Sequence, residues 1–121
     1  MATLLVNTGR AIVTSRLNGG GTTPSYVAWG TGAGTTGATD TTLFTENGSR
    51  VSGTVTQQTA STTNDTFQVV GTQTAAVGET ITNAGLFDAS TSGNLFVKGD
   101  FTSIALNSGD SIQFTFKVQF S

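Results

Sequence analysis

A chain of 121 residues with only 10% charged side chains, a formal net charge of −2, no histidine and no cysteine lies outside several functional classes at once. Five basic residues scattered from Arg10 to Lys117 make no stripe for a phosphate backbone, which excludes nucleic acid as the main partner. The missing cysteines exclude disulfides and thiolate chemistry, and the missing histidines exclude Ser-His-Asp and Cys-His machinery.

A domain of this length can bury roughly two thirds of its unfolded surface. Its charge content falls well under the roughly 25% of ordinary soluble domains, which suits a surface that packs against copies of itself or a larger assembly. Met1 to Val6 carries a short apolar stretch without a basic leader or long apolar core, and no apolar run approaches the roughly 20 residues that cross a bilayer. The expectation is a protein made in a cytoplasm, with no classical export signal and no membrane partner.

Along Asn7 to Leu17, Ala11, Ile12, Val13 and Leu17 mix with Arg10 and Arg16. The pattern fits a helix of about ten residues, with Asn7 or Thr8 as N-cap and Gly19 at its exit, or else an extended arm. Residues 1–21 are therefore read as an N-terminal helix or arm. Tyr26 to Trp29 reads as a strand. After it, Gly32, Gly34 and Gly37 spell G-x-G-x-x-G, but neither a following helix nor a βαβ unit accompanies them, so residues 30–37 read as a flexible glycine-rich connection and not a dinucleotide loop. Thr39 to Leu43 reads as a single capped turn.

Arg50 to Thr59 and Thr66 to Thr74 are β-branched runs flanking Thr62, Thr63, Asn64 and Asp65, whose side chains favour turns. They predict a hairpin, with Val51 and Val55 sharing a face across Gly53 and with Phe67 and Val69 sharing a face on the partner strand. A second hairpin is predicted from Thr80 to Asp88 and Asn94 to Phe101 around Ala89 to Gly93. Asn107 to Asp110 form a turn into a final strand, Ser111 to Ser121, where Ile112, Phe114, Phe116, Val118 and Phe120 alternate with polar residues. Residues 1–121 are thus expected to form one all-β domain, an antiparallel β-sandwich or jelly-roll-like fold with a short N-terminal helix or extended arm.

Candidate chemistry is sparse. Asp88, Asp100 and Asp110 lie near predicted turns and could in principle form a carboxylate pair, but acidic residues there ordinarily cap their own backbone. Asp88, Ser90, Ser92 and Asn94 have the alternation of a calcium loop with Gly93 at its sixth position. Gly99 occupies the twelfth, where a bidentate Glu is required. No catalytic residue, cofactor or metal is assigned. Tyr26 and Trp29 beside Phe44 fit either core packing or a platform for a sugar or a partner. The triplets Asn47-Gly48-Ser49 and Asn64-Asp65-Thr66 match glycosylation acceptors without an accompanying secretory signal.

Four segments carry a resemblance: Tyr26-Val27-Ala28-Trp29-Gly30-Thr31-Gly32, Thr39-Asp40-Thr41-Thr42-Leu43-Phe44-Thr45-Glu46, Thr82-Asn83-Ala84-Gly85-Leu86-Phe87-Asp88-Ala89, and Gly109-Asp110-Ser111-Ile112-Gln113-Phe114-Thr115. In this order they resemble small virion structural proteins of tailed bacteriophages, of the capsid decoration, cement or tail-fibre-like kind. The resemblance implies a non-enzymatic sandwich that assembles, commonly as a homotrimer, on a virion surface. The preferred expectation is a decoration or cement protein seated between subunits of the major capsid protein on the capsid surface, after assembly in the host cytoplasm. The alternatives are a tail-fibre, baseplate or receptor-binding module contacting a host glycan, or a bacterial carbohydrate-binding module. Ala2 to Gly21 and Gly30 to Gly37 are expected to order on binding. Asn7, Arg10, Arg16, Tyr26 and Trp29 are the expected partner-binding residues.

Overall fold

In the computed structural model, which describes residues 2–121, the elements run in order as β1 (Ala2–Leu5), α1 (Asn7–Leu17), β2 (Tyr26–Gly30), β3 (Glu46–Ser52), β4 (Thr54–Gln58), β5 (Thr66–Thr74), β6 (Glu79–Phe87), β7 (Leu95–Leu106) and β8 (Ser111–Gln119). All strand pairs are antiparallel. They make a five-stranded sheet in the order β1-β7-β6-β2-β3 and a three-stranded sheet in the order β4-β5-β8. The expected β-sandwich with a short N-terminal helix is what forms.

The inner faces meet through alternate side chains, as a pleated strand requires. Val27, Leu86 and Val97 of the larger sheet pack against Val69, Phe67, Phe116 and Val118 of the smaller one. Trp29, Ile81 and Ala84 pack against Phe114 and Ile112, with the Trp29 and Phe114 rings edge to face at 6.3 Å. Each large side chain buried in this way contributes about 1.5–3 kcal/mol. The apolar face of β8 is only half-buried, because β8 is an edge strand beside an opening of the sandwich.

Several local expectations need correction. Arg50 to Thr59 is not one strand: β3 belongs to the larger sheet and β4 to the smaller, so Val51 and Val55 lie in different sheets. The break is at Gly53, whose amide donates to Ser25 O at 2.7 Å. A methyl group there would come within 2.5 Å of Val69 Cγ1, so only glycine lets the chain cross this close to the opposing strand. Phe120 lies beyond β8 and is 51% exposed. The second hairpin forms as expected, except that β7 runs on to Leu106 and places Asp100 inside a strand.

The N-terminal segment does not wait for a partner. Ala2–Leu5 pairs with Val97–Asp100 of β7. The cap of α1 is Val6, in an extended conformation with no side-chain cap bond, because the two expected caps are engaged elsewhere. Asn7 Oδ1 accepts from Arg10 Nη1 at 2.9 Å, and Thr8 Oγ1 donates to Leu95 O at 2.6 Å. Gly19 does close the helix, with φ +82 and its amide donating to Arg16 O at 3.1 Å. The glycine-rich stretch is likewise pinned: Thr31 N and Gly32 N donate to Thr45 O and Phe44 O at 3.0 and 2.9 Å.

Candidate functional site

The five expected partner-binding residues do not converge. Asn7, Arg10 and Arg16 are exposed on α1, where Arg16 Nη1 donates to Gly20 O and Gly21 O at 3.3 and 3.1 Å and Arg10 is bonded to Asn7. Tyr26 is half-buried against Ala28 and Phe87. Trp29 is 2% exposed and its ring is packed in the core, so the ring face offers no stacking platform.

The acidic residues that could serve catalysis or calcium binding are spent on holding the chain: Asp88 and Asp110 on their own loops, Asp100 on the distant Thr36. Asp88 accepts from Asn94 N at 2.7 Å and Asn94 Nδ2 at 3.2 Å, closing the β6–β7 loop. Asp110 accepts from Asn107 N at 2.8 Å. Asp100 accepts from Thr36 N at 2.9 Å, and its contact with Thr36 holds its carboxyl below the usual range. Among the described residues, no group of three or more acidic side chains could hold a metal ion, and no helix is long and apolar enough to cross a membrane.

A buried cation was not visible in the sequence. Lys98, the fourth residue of β7, has no exposed surface, donating to Asp40 Oδ2 and Thr42 O at 2.9 Å each and lying 3.3 Å from the centroid of the Phe44 ring. Asn83, also fully buried, brackets Phe44 by accepting from its amide and donating to its carbonyl, both at 3.0 Å. Two polar side chains from β6 and β7 thus fasten Asp40 to Phe44 to the outer face of the larger sheet. Nothing marks Lys98 as different from a surface lysine, since its partners lie about 60 residues away in a stretch without regular structure.

A second polar arrangement sits at the other edge of that sheet. The β2–β3 register shifts between the pairs Val27↔Val51 and Trp29↔Asn47, a bulge that frees backbone carbonyls from the ladder. Gln73, 4% exposed, reaches across from β5 and donates its Nε2 to Val27 O at 2.8 Å and to Ser49 O at 3.1 Å. Because β4 pairs only with Thr66 to Val70, the following residues of β5 have no neighbour on that side. Between them and β3 runs a groove of about 430 Å³ floored by Trp29 and Gln73 and walled by Asn47, Gly48, Thr72 and Glu79.

The third feature is the free edge of β8. Phe120 N donates to Asp65 O, and Asp110 O accepts from Ala75 N, at 2.9 and 2.8 Å. Both bonds continue the β5–β8 register, so the even-numbered residues of β8 point their backbone groups at β5. The N–H and C=O groups of Ser111, Gln113, Thr115, Lys117 and Gln119 therefore point away from it, where the sheet has no further strand. Beside this edge the sandwich opens in a cleft of about 320 Å³ lined by Phe101, Phe114 and Phe116.

A protein family described as podophage GP4 fiber I protein gp80 matches residues 9–118. The chain belongs to this family. No curated protein and no solved structure matches it. The match to the gp80 fibre family runs from the first turn of α1 to the last residue but one of β8, and so takes in the pinned Thr31–Thr45 segment, the groove beside Trp29 and the edge of β8. Membership makes the chain a structural protein of a tailed-phage virion.

Proposed function

We propose that the protein is a non-catalytic building block of a virion fibre that assembles through the exposed edge of β8. The observation that carries this reading is the outward-pointing backbone of five alternate residues on a nine-residue edge strand, with a half-open aromatic cleft beside it. Such an edge is a template for strand addition, and an unprotected one is ordinarily blunted by charges, proline or bulges. Lys117 is the only charged residue of β8, which contains neither proline nor a register shift. The other free edges are poorer templates: β1 and β4 span four and five residues, and β3 is bulged.

A second copy of the same strand fits this edge. Antiparallel pairing centred on Thr115 overlaps all of Ser111–Gln119, sets Phe114 opposite Phe116 and Ile112 opposite Val118, and places each Lys117 opposite Gln113. The two lysines then stand four residues apart along the strand, about 13 Å, beyond strong repulsion at physiological salt.

Thr115→Pro tests the assembly, since residue 115 points its amide away from β5 and proline there removes only the outward donor. The variant is expected to keep its circular dichroism and lose self-association by light scattering. A monomeric parent protein, or a variant that associates as well as the parent, overturns assembly through β8; a trimer, the number implied by the resemblance, assigns the contact to another surface. Densitometry of purified virions tests the placement. A fibre component gives few copies per particle, whereas hundreds in a lattice over the head would make the chain a decoration protein on the major capsid protein.

A further inference from the structure

We infer that the groove between β3 and the uncovered end of β5 is a saccharide site, selective for neutral or amino-substituted sugars over acidic ones. Two side chains more than nine-tenths buried open onto this groove with a hydrogen-bonding atom unused. Gln73 spends its Nε2 on Val27 O and Ser49 O, which fixes the amide orientation and leaves Oε1 without a donor among the described residues. Trp29 Nε1 has no acceptor among the described residues, and it faces Gly48, where an added methyl group would still stand 3.9 Å away.

The walls extend the same pattern. Asn47 Nδ2 donates to Glu79 Oε2, so Asn47 Oδ1 and Glu79 Oε1 are left to accept. One fixed donor and three fixed acceptors thus surround a space of about 430 Å³, inside the ~300–1,000 Å³ range of small-ligand clefts. A hydroxyl both donates and accepts, so a ring carrying several of them can satisfy the whole set. An extended peptide is a poorer occupant, since its carbonyls would meet a wall made mostly of acceptors. Glu79 is the only charged residue lining the groove, which favours an amine and repels a carboxylate.

The biological sense of this site rests on the fibre reading, but its chemistry can be tested on the isolated chain independently of assembly. Trp29 is the only tryptophan, so its emission reports occupancy directly. Titration of the full chain with glucosamine, N-acetylglucosamine and maltose should shift that emission with dissociation constants on the order of 1 mM, while glucuronate and N-acetylneuraminate should bind at least about tenfold more weakly. Thr72→Arg, at the exposed mouth, should abolish the shift while leaving circular dichroism and β8 pairing unchanged. Glu79→Gln, which removes the charge and turns one wall acceptor into a donor, should lose the preference for glucosamine over maltose. An emission unmoved by every sugar, acidic sugars binding as well as neutral ones, or a Thr72→Arg variant that still responds would overturn the assignment without touching the fibre reading.

Discussion

The ammonium group of Lys98, fully buried, sits 2.9 Å from the carboxylate of Asp40 and 3.3 Å from the centroid of the Phe44 ring. A buried charge is expensive when its partner is removed, at roughly 3–5 kcal/mol, and far cheaper when the charge itself is replaced by an apolar group of similar volume. The Asp40 side chain is about a quarter exposed, and Thr42 O stays in place, so water and the carbonyl recover part of the loss. Asp40→Ala is therefore expected to cost about 2–3 kcal/mol, and Lys98→Met about 1 kcal/mol or less. Urea denaturation of both variants checks the order; a Lys98→Met variant less stable than Asp40→Ala would refute it.

Acid should loosen two places first. Asp65 accepts from Ala60 N, Ser61 N and Thr62 N at 2.8, 3.1 and 3.0 Å, and those amides hold its carboxyl far below the usual carboxylate range. Asp40 is lowered too, first by the Gly37 amide and then by Lys98. A carboxyl whose folded pKa is depressed stabilises the fold fully above its unfolded value near pH 4, and the contribution disappears as pH falls through the folded value. Amide exchange at 60–62 and at Gly37 should accelerate below about pH 4 while the β6–β7 pairs stay protected. Asp65→Asn should make exchange at 60–62 fast already at pH 7.

Helix propensity and packing oppose one another at Gly9. On propensity alone, Gly9→Ala inside α1 should stabilise by about 1 kcal/mol. A methyl group there would collide with the backbone oxygen of Phe96 and stand 2.8 Å from Leu5 Cδ1, and a backbone oxygen in a sheet cannot move aside. The expected outcome is destabilisation of about 1–3 kcal/mol, with the amide of Val6 losing its bond to Phe96 O. Thermal denaturation decides: a raised midpoint would mean that α1 does not lie this close to β7.

What the sequence revealed and what it hid follow from the range of the forces involved. Alternation in Ser111–Ser121, the turn residues 107–110 and the Gly19 exit are local signals, and each became the element it predicted, the strand ending two residues early at Gln119. The division of 50–59 between two sheets was hidden because it depends on how closely Gly53 approaches Val69, a contact between residues distant along the chain. The same holds for the sites. Tyr26 and Trp29 are aromatic residues that a sequence cannot orient, whereas the groove depends on Gln73 meeting a bulge between β2 and β3 that no residue type announces. Lys98 escaped notice because burial of a lysine is decided by partners at Asp40 and Phe44.

Arg50 ties the β6–β7 loop to β3 in a way that lysine cannot copy. Its guanidinium lies 3.6 Å from the centroid of the Phe87 ring, forks onto both carboxylate oxygens of Glu46 at 2.8 and 3.1 Å, and donates from Nη1 to Ala89 O and Ser92 O at 2.8 and 2.6 Å. The loop needs this hold, because Ser92 and Gly93 both adopt positive φ, at 53 and 72, and Ser92 gains nothing from that conformation. A lysine ammonium is a point charge without the planar fork, so Arg50→Lys keeps the charge but gives up the stacking and at least one carbonyl. The expected loss is about 1–3 kcal/mol, with a larger loss for Arg50→Ala, which also uncovers Phe87. Thermal denaturation orders the three proteins, and amide exchange at Ser92 to Asn94 should rise in step with the loss. An Arg50→Lys protein with the stability of the parent would show that charge alone holds the loop, and that the fork and the stacking contribute nothing.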